Sequence, residues 1–452
     1  MSNRLPPGPR GSFLLGVLPG FINDTLPLLL DFYQYGPVAS ARFGPFRVYS
    51  ANSPDAIHEV LVTQADKFYK ANVTKWALEP TLGKGLFLSE GDFWKRQRRL
   101  VQPSFHSRRI GAYADIIVNY AQDLISKWQS GAALDVDREM VALTMNIITK
   151  TLFDVDVSEE ARRISDVITV ILRVTDQRLN ALFPYPYWLP TNNSRNLKKA
   201  VAKLDQIIQG FIDQRRATGA DKGDLLSMLL EAQDEDGSQM TDKQVRDEAI
   251  TLFGAGHETT ATALTWIWYL LSQNPDVEAK LHAEVDGVLD EQTPKLEDLA
   301  HLPYTEMVVK EAMRLYPPAF ATTRQTMDDV TLLGYTIPKD SVVLLNFYAV
   351  HRDARYFPAP EKFVPERFSP ENEKNIPKYA YLPFGAGPRV CVGNLFAMME
   401  ARLVLATIAQ RWRLALAPGQ QVVPQRMFTL KPKYGMSMIP SVREAVLVAA
   451  GD

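Results

Sequence analysis

Cysteine is almost missing from this chain. Cys391 is the only one in 452 residues, so no intramolecular disulfide can form and no cysteine-held cluster is possible. Nothing therefore marks the protein as built for an oxidising compartment, and a reducing cytoplasm is the expected location. Histidine is scarce too, with 6 residues, none at an HxxxH or HExxH spacing that would hold zinc. Excess charge of either sign is lacking. The 50 Lys+Arg and 52 Asp+Glu leave a formal net charge of -2, which gives no global attraction to nucleic acid or to an anionic membrane. A membrane-spanning run is also absent. The apolar stretches Phe13–Leu18 and Leu26–Leu30 are interrupted by Pro19, Gly20 and Asp24, well short of the ~20 residues a span needs. A soluble protein without a membrane anchor is expected.

The chain does have length and helical periodicity. Hydrophobic residues make up 46% and charged residues 23%, ordinary globular proportions that exclude disorder. No linker, repeat or low-complexity tract divides it, so residues 1–452 are read as one large domain, entered through the stiff Leu5-Pro6-Pro7-Gly8-Pro9 segment. Helical patterns cover 107–129, 136–153, 158–179, 195–217, 241–273, 276–290, 304–315 and 394–412. Strand-like islands occupy 38–49, around Gly44-Pro45, and 330–350. The expected fold is mainly α with a minor β region from about 37–51 plus 320–350. Polar loops are expected at 221–223 and 234–238. The 241–273 pattern would run roughly 50 Å as a helix. Gly254 and Gly256 interrupt its middle, each costing about 1 kcal/mol relative to alanine.

The strongest local signal is Phe384-Gly-Ala-Gly-Pro-Arg-Val-Cys391-Val-Gly393, directly before the helical pattern at Asn394. A thiolate at such a place gains from the helix dipole and from free backbone N–H groups. The glycines let a flat group approach the backbone. Taken alone, the cysteine also reads as a small buried hydrophobe in a glycine-rich turn.

With Phe384, Gly387, Arg389, Cys391 and Gly393 at these spacings, the run resembles the haem-binding signature of the cytochrome P-450 family, and the resemblance extends over nearly the whole chain. It implies an α-rich body with haem b, iron protoporphyrin IX, between the long central helix and the helix after Cys391. Cys391 would be the iron ligand. Trp94, Arg98, Arg324, Phe384, Gly387, Arg389 and Gly393 would bind the cofactor, the arginines by fork-like donation to its carboxylates. Glu311 and Arg314, with Arg367 of Pro365-Glu366-Arg367-Phe368, would form a structural ionic network. Within Ala255-Gly-His-Glu-Thr-Thr260, Thr259 would hold the bound oxygen by hydrogen bonding and Glu258 would relay protons. His257 is not expected to be an iron ligand.

The implied activity is that of a haem-thiolate monooxygenase, which inserts one atom of dioxygen into a hydrophobic substrate by hydroxylation or epoxidation. Phe87, the Phe183–Trp188 stretch, Ala255, Ala319, Phe320, Ala321, Thr322, Met427 and Phe428 would line the cavity. Their apolar character points to a fatty acid, a terpenoid or a similar molecule. No dinucleotide fingerprint appears and one cysteine cannot hold a cluster, so electrons are expected from a separate ferredoxin or flavodoxin and its reductase. Lys95, Arg96, Arg99 and Arg402 would form the cationic docking face, and a monomer is expected. Two rivals remain: a peroxide-using or isomerising haem-thiolate enzyme, and a non-catalytic haem protein.

Overall fold

The computed structural model describes residues 5–155, 160–179, 187–219 and 222–443. Most of the Phe183–Trp188 stretch, which the sequence assigned to the cavity, lies outside them.

The longest element is the central helix Asp242–Gln273. It starts at a capping box, in which the Thr241 hydroxyl accepts the Gln244 N–H and the Gln244 side chain accepts the Thr241 N–H. It stops at Asn274 before Pro275, which opens the next helix, Pro275–Leu289. Gly254 and Gly256 do not break it. At Gly256 an added Cβ would lie 2.8 Å from Ile148 Cδ1, so the glycine serves close packing on the helix Val136–Phe153. Towards its C-terminus the central helix enters the main core. Trp266 and Trp268 are fully buried. Trp266 stacks on Tyr316 at 4.0 Å and donates through its ring N–H to the Leu430 carbonyl at 2.6 Å. Removing such a ring costs ~3–5 kcal/mol.

The other long patterns form helices at Glu160–Leu179, Asn192–Thr218, Pro303–Leu315 and Asn394–Ala409. The 107–129 pattern is the exception. Its regular helix is Ala114–Ser126, preceded by two short turns that meet at Gly111. There the backbone comes so close to Leu296 that a Cβ would sit 2.7 Å from its methyl carbon.

The largest sheet has five strands, in the order Val38–Phe43, Phe46–Ala51, Val342–Leu345, Thr322–Thr326 and Phe68–Tyr69. The first two form a hairpin with Gly44 at φ 58 in its turn. The expected β region supplies every strand except Phe68–Tyr69, which at two residues leaves no alternation to read. Smaller sheets join Leu134–Asp135, Ser437–Val442 and Trp412–Leu416, and pair Pro424–Arg426 with Leu430–Pro432. Among the described residues no helix is long and apolar enough to cross a membrane.

Candidate active site

The central helix packs against Asn394–Ala409, the helix that follows Cys391. Most of its residues from Val245 to Leu271 are buried, yet Ala255 is exposed and Thr259 half-buried. Cys391, in the loop just before the second of these helices, is also exposed. The space between the central helix and this loop is the candidate cleft.

The cysteine loop is shaped by two glycines at positive φ, Gly385 at 69° and Gly387 at 70°. At Gly387 a Cβ would meet the Leu61 carbonyl oxygen at 1.9 Å, so no other residue fits. The Cys391 N–H donates to the Phe384 carbonyl at 3.0 Å and closes the loop. Although exposed to the cleft, the sulfur has protein on most sides. Burial pushes the thiol pKa up, while the Gly393 N–H and the Arg98 charge pull it down. Arg98 donates to the Val390 carbonyl at 2.8 Å. Trp94 lies beneath the Arg389 guanidinium at 4.4 Å.

At the edge of the cleft, Lys70, Arg324 and Arg389 gather around one acid, Glu90. Lys70 and Arg324 are each only 8% exposed. Burial first, then repulsion from Arg324 and Arg389, drives the Lys70 ammonium well below its usual pKa. Burial and Arg389 lower Arg324 to about 10. Arg389 pairs with Glu90 and donates to the Ser89 carbonyl at 2.9 Å. Arg324 donates to the Thr323 carbonyl at 3.0 Å, and the Lys70 ammonium sits over the Phe87 ring at 3.8 Å. With Lys75, which reaches Glu90 at 3.9 Å, four cations share one carboxylate, two of them buried, which is an unbalanced set. Two further carboxylates, as on haem, would complete it, so these residues fit the cofactor. Sequence reasoning missed Lys70. It follows a two-residue strand, and only the pairing of Tyr69 with Gln325 brings it beside Arg324.

Glu258 faces away from the cleft. It is buried, held by Lys431 at 3.0 Å and by the Thr429 hydroxyl at 3.1 Å. His257 is buried beside it and hydrogen-bonded to the Phe253 carbonyl at 2.9 Å. The Thr259 hydroxyl donates to the Ala255 carbonyl at 2.7 Å. Glu311, Arg314 and Arg367 come together in a sealed network. Arg314 donates to both Glu311 oxygens at 2.7 and 2.8 Å, and Arg367 reaches Glu311 at 3.2 Å.

Of the expected cavity residues, Ala319 is exposed and Ala321, Thr322, Met427 and Phe428 are half-buried. Phe320 is buried in a small core with Leu26, Leu29, Leu344, Tyr348 and Leu430, against which Ala321 also packs.

The expected cationic face needs a correction. Arg96 is bound to Asp234 at 3.0 Å, Arg99 to Asp234 at 2.6 Å and to Glu235 at 3.3 Å. Arg402 is paired with Glu306 at 2.9 Å. The 234–238 turn is thus an acidic clasp on the tryptophan-bearing helix Gly91–Val101, and not a plain loop. Beside it runs an open groove of ≈ 820 Å³, lined by Trp94, Arg98, His106, Arg108 and Arg109 among others. Among the described residues, Arg108 and Arg109 have no ion-pair partner.

A cysteine loop, a cation-rich carboxylate pocket and an acid–threonine pair on one long helix describe a haem-thiolate site. The profile of the cytochrome P-450 family matches residues 6–439, and the chain belongs to that family. Cyclooctatin synthase of Streptomyces melanosporofaciens is 38% identical over 92% of this chain and 91% of its own length. Cyclooctat-9-en-7-ol 5-monooxygenase from the same organism is 37% identical over 90% and 88%. Pentalenene oxygenase of Streptomyces avermitilis is 30% identical over 93% and 95%. The protein is a haem-thiolate monooxygenase.

Proposed function

We propose that the protein oxidises a cyclic terpenoid, by hydroxylation or epoxidation, with haem b held by Cys391. The surplus of cations around Glu90, with Lys70 and Arg324 buried, carries the cofactor reading. The relatives named for cyclooctatin, cyclooctat-9-en-7-ol and pentalenene support the substrate class. The thiolate-bound haem supplies the activation of dioxygen. Arg98, Arg389, Arg324 and Lys70 take its carboxylates, with Trp94 bracing Arg389 from below. Phe384, Gly387 and Gly393 shape the loop around the sulfur.

Thr259 presents a hydroxyl to the cleft, and Glu258 supplies protons from behind the helix. In the resting arrangement the Glu258 carboxylate is tied to Lys431, so proton transfer towards Thr259 requires that tie to loosen. Ala255, Ala319, Ala321, Thr322, Met427, Phe428 and Phe87 form the apolar wall. Glu311, Arg314 and Arg367 keep the region beneath the cysteine loop in shape. Electrons come from a separate acidic ferredoxin or flavodoxin, drawn to the groove that carries Arg108 and Arg109.

Titrating the ferric enzyme with cyclic terpenes is expected to shift the haem absorption band, whereas small polar compounds leave it unmoved. The reverse pattern overturns the substrate class. Cys391→Ser in the same assay should lose the red-shifted band of the reduced carbon monoxide complex, and retention of that band overturns the ligand assignment.

A further inference from the structure

Two acids of the central helix have no part in the chemistry described above. Asp247 and Glu248 are adjacent and only 3% and 0% exposed. Each accepts a backbone N–H from the loop that follows Leu82: Lys84 donates to Asp247 Oδ2 at 2.9 Å and Leu86 to Glu248 Oε2 at 2.9 Å. The second Glu248 oxygen accepts the Gln97 side-chain amide at 2.9 Å. That residue lies on the tryptophan-bearing helix. Asp247 is balanced by Arg246 at 2.7 Å and Lys243 at 3.2 Å. Glu248 has no ion-pair partner among the described residues.

Two glycines make the grip possible. Gly83 has φ +58, and a Cβ there would lie 2.3 Å from the Asp247 carboxylate. At Gly85 it would lie 2.2 Å from the Thr251 hydroxyl and 2.5 Å from the Asp247 carbonyl oxygen. Further along, the same loop carries Phe87 beneath Lys70 and then Ser89 and Glu90, which hold Arg389. One end is therefore fixed to the central helix by paired carboxylates, and the other to the cation cluster. A buried acid held by two donors and no cation is an expensive way to fix a loop, which calls for a role that apolar packing would not fill.

We propose that Asp247 and Glu248 are a latch that positions the Gly83–Glu90 loop against the cleft, and that Glu248 thereby sets which apolar ligands fit beside the iron. This rests on the reading of Phe87 as part of the cleft wall. Glu248 is a positioning residue: it acts through Leu86 and Phe87 and touches no substrate.

The test compares two iron-binding probes on the holoenzyme, each read from the haem absorption shift. Imidazole reaches the iron alone, whereas 4-phenylimidazole carries a ring that must also fit the wall. Glu248→Met, which removes both acceptors, is expected to weaken 4-phenylimidazole at least tenfold with imidazole within twofold. Glu248→Gln keeps an acceptor for the Leu86 N–H and should bind both probes as the parent does. Gly85→Ala lifts the loop by pressing on the Thr251 hydroxyl and the Asp247 backbone carbonyl while leaving both carboxylates in place, and should reproduce the Glu248→Met pattern even if that variant fails to fold. Unchanged 4-phenylimidazole binding in Gly85→Ala, or equal weakening of both probes, overturns the latch while the haem reading stands. Absence of any response from the parent enzyme overturns the haem reading and the latch together.

Discussion

The two arginine-rich sites of this protein are built on opposite plans. In the Glu311 network, Arg314 is fully buried and uses its donors up. Besides Glu311 it serves the carbonyls of His351 at 2.8 Å, Pro360 at 2.7 Å and Lys362 at 3.1 Å. In the cluster around Glu90, the Arg324 guanidinium has one hydrogen bond among the described residues, to its neighbour's carbonyl, and the Lys70 ammonium has only an aromatic face. A structural arginine is recognised by exhausted donors, and a ligand-binding one by donors left over at a buried position. Sequence spacing does not distinguish the two cases.

Substitutions should expose the contrast. The largest effect is expected from Arg314→Ala, which leaves buried Glu311 with Arg367 as its one ion-pair partner among the described residues. A loss of ~3–5 kcal/mol follows from removing one partner of a buried pair, seen as a lowered urea midpoint with or without cofactor.

Glu400 sharpens the comparison from the acidic side. It is 1% exposed, and neither carboxylate oxygen has a hydrogen-bond partner of ordinary geometry. Burial raises its pKa from 4.5 to about 8, partly offset by the nearby Thr260 hydroxyl. The unfolded chain loses this proton near 4.5 and the folded chain near 8, so stability falls as pH rises through that window. Glu400→Gln should flatten the slope, gaining on the parent by on the order of 4 kcal/mol at most between pH 5 and 9. Equal slopes in urea unfolding would place the charge of Glu400 elsewhere.

Lys70→Met should give the smallest stability change, and in the opposite direction to Arg314→Ala. Removing one cation from a mutually repelling cluster is expected to stabilise the cofactor-free chain by about 1 kcal/mol. It should also speed haem transfer to apomyoglobin roughly tenfold, since a lost ionic contact is worth about 1.4 kcal/mol. If Lys70→Met destabilised both forms as Arg314→Ala does, the distinction between the two sites would collapse.

How much of this was legible before the fold was known depends on how local each feature is. The cysteine loop could be read because its glycines, arginine and thiol lie within ten consecutive residues, and the turn they form needs no distant partner. The long helices were visible from periodicity, except where Gly111 let the chain step aside against Leu296. Lys70 was not legible, since its meaning comes from strand pairing across more than two hundred residues. The loss of Arg96 and Arg99 from the docking face was hidden for the same reason: the clasp at Asp234 comes from a remote turn. Phe320 was a further miss. Its place in a run of small residues suggested a common wall, but its ring is buried against Leu26, Leu29 and Leu430, partners far away in the chain that the local run does not contain.

The close seat of Gly256 on Ile148 has a mechanical consequence. With the Thr144 hydroxyl donating to the His257 carbonyl at 2.9 Å, it keys the central helix into its neighbour like a pin in a slot. A slip of one residue would advance the helix by about 1.5 Å and turn it by roughly a quarter of a circle, driving a side chain into the space that only glycine leaves open. The position of Thr259, three residues further on along the same helix, is thus indexed by the contact at Gly256.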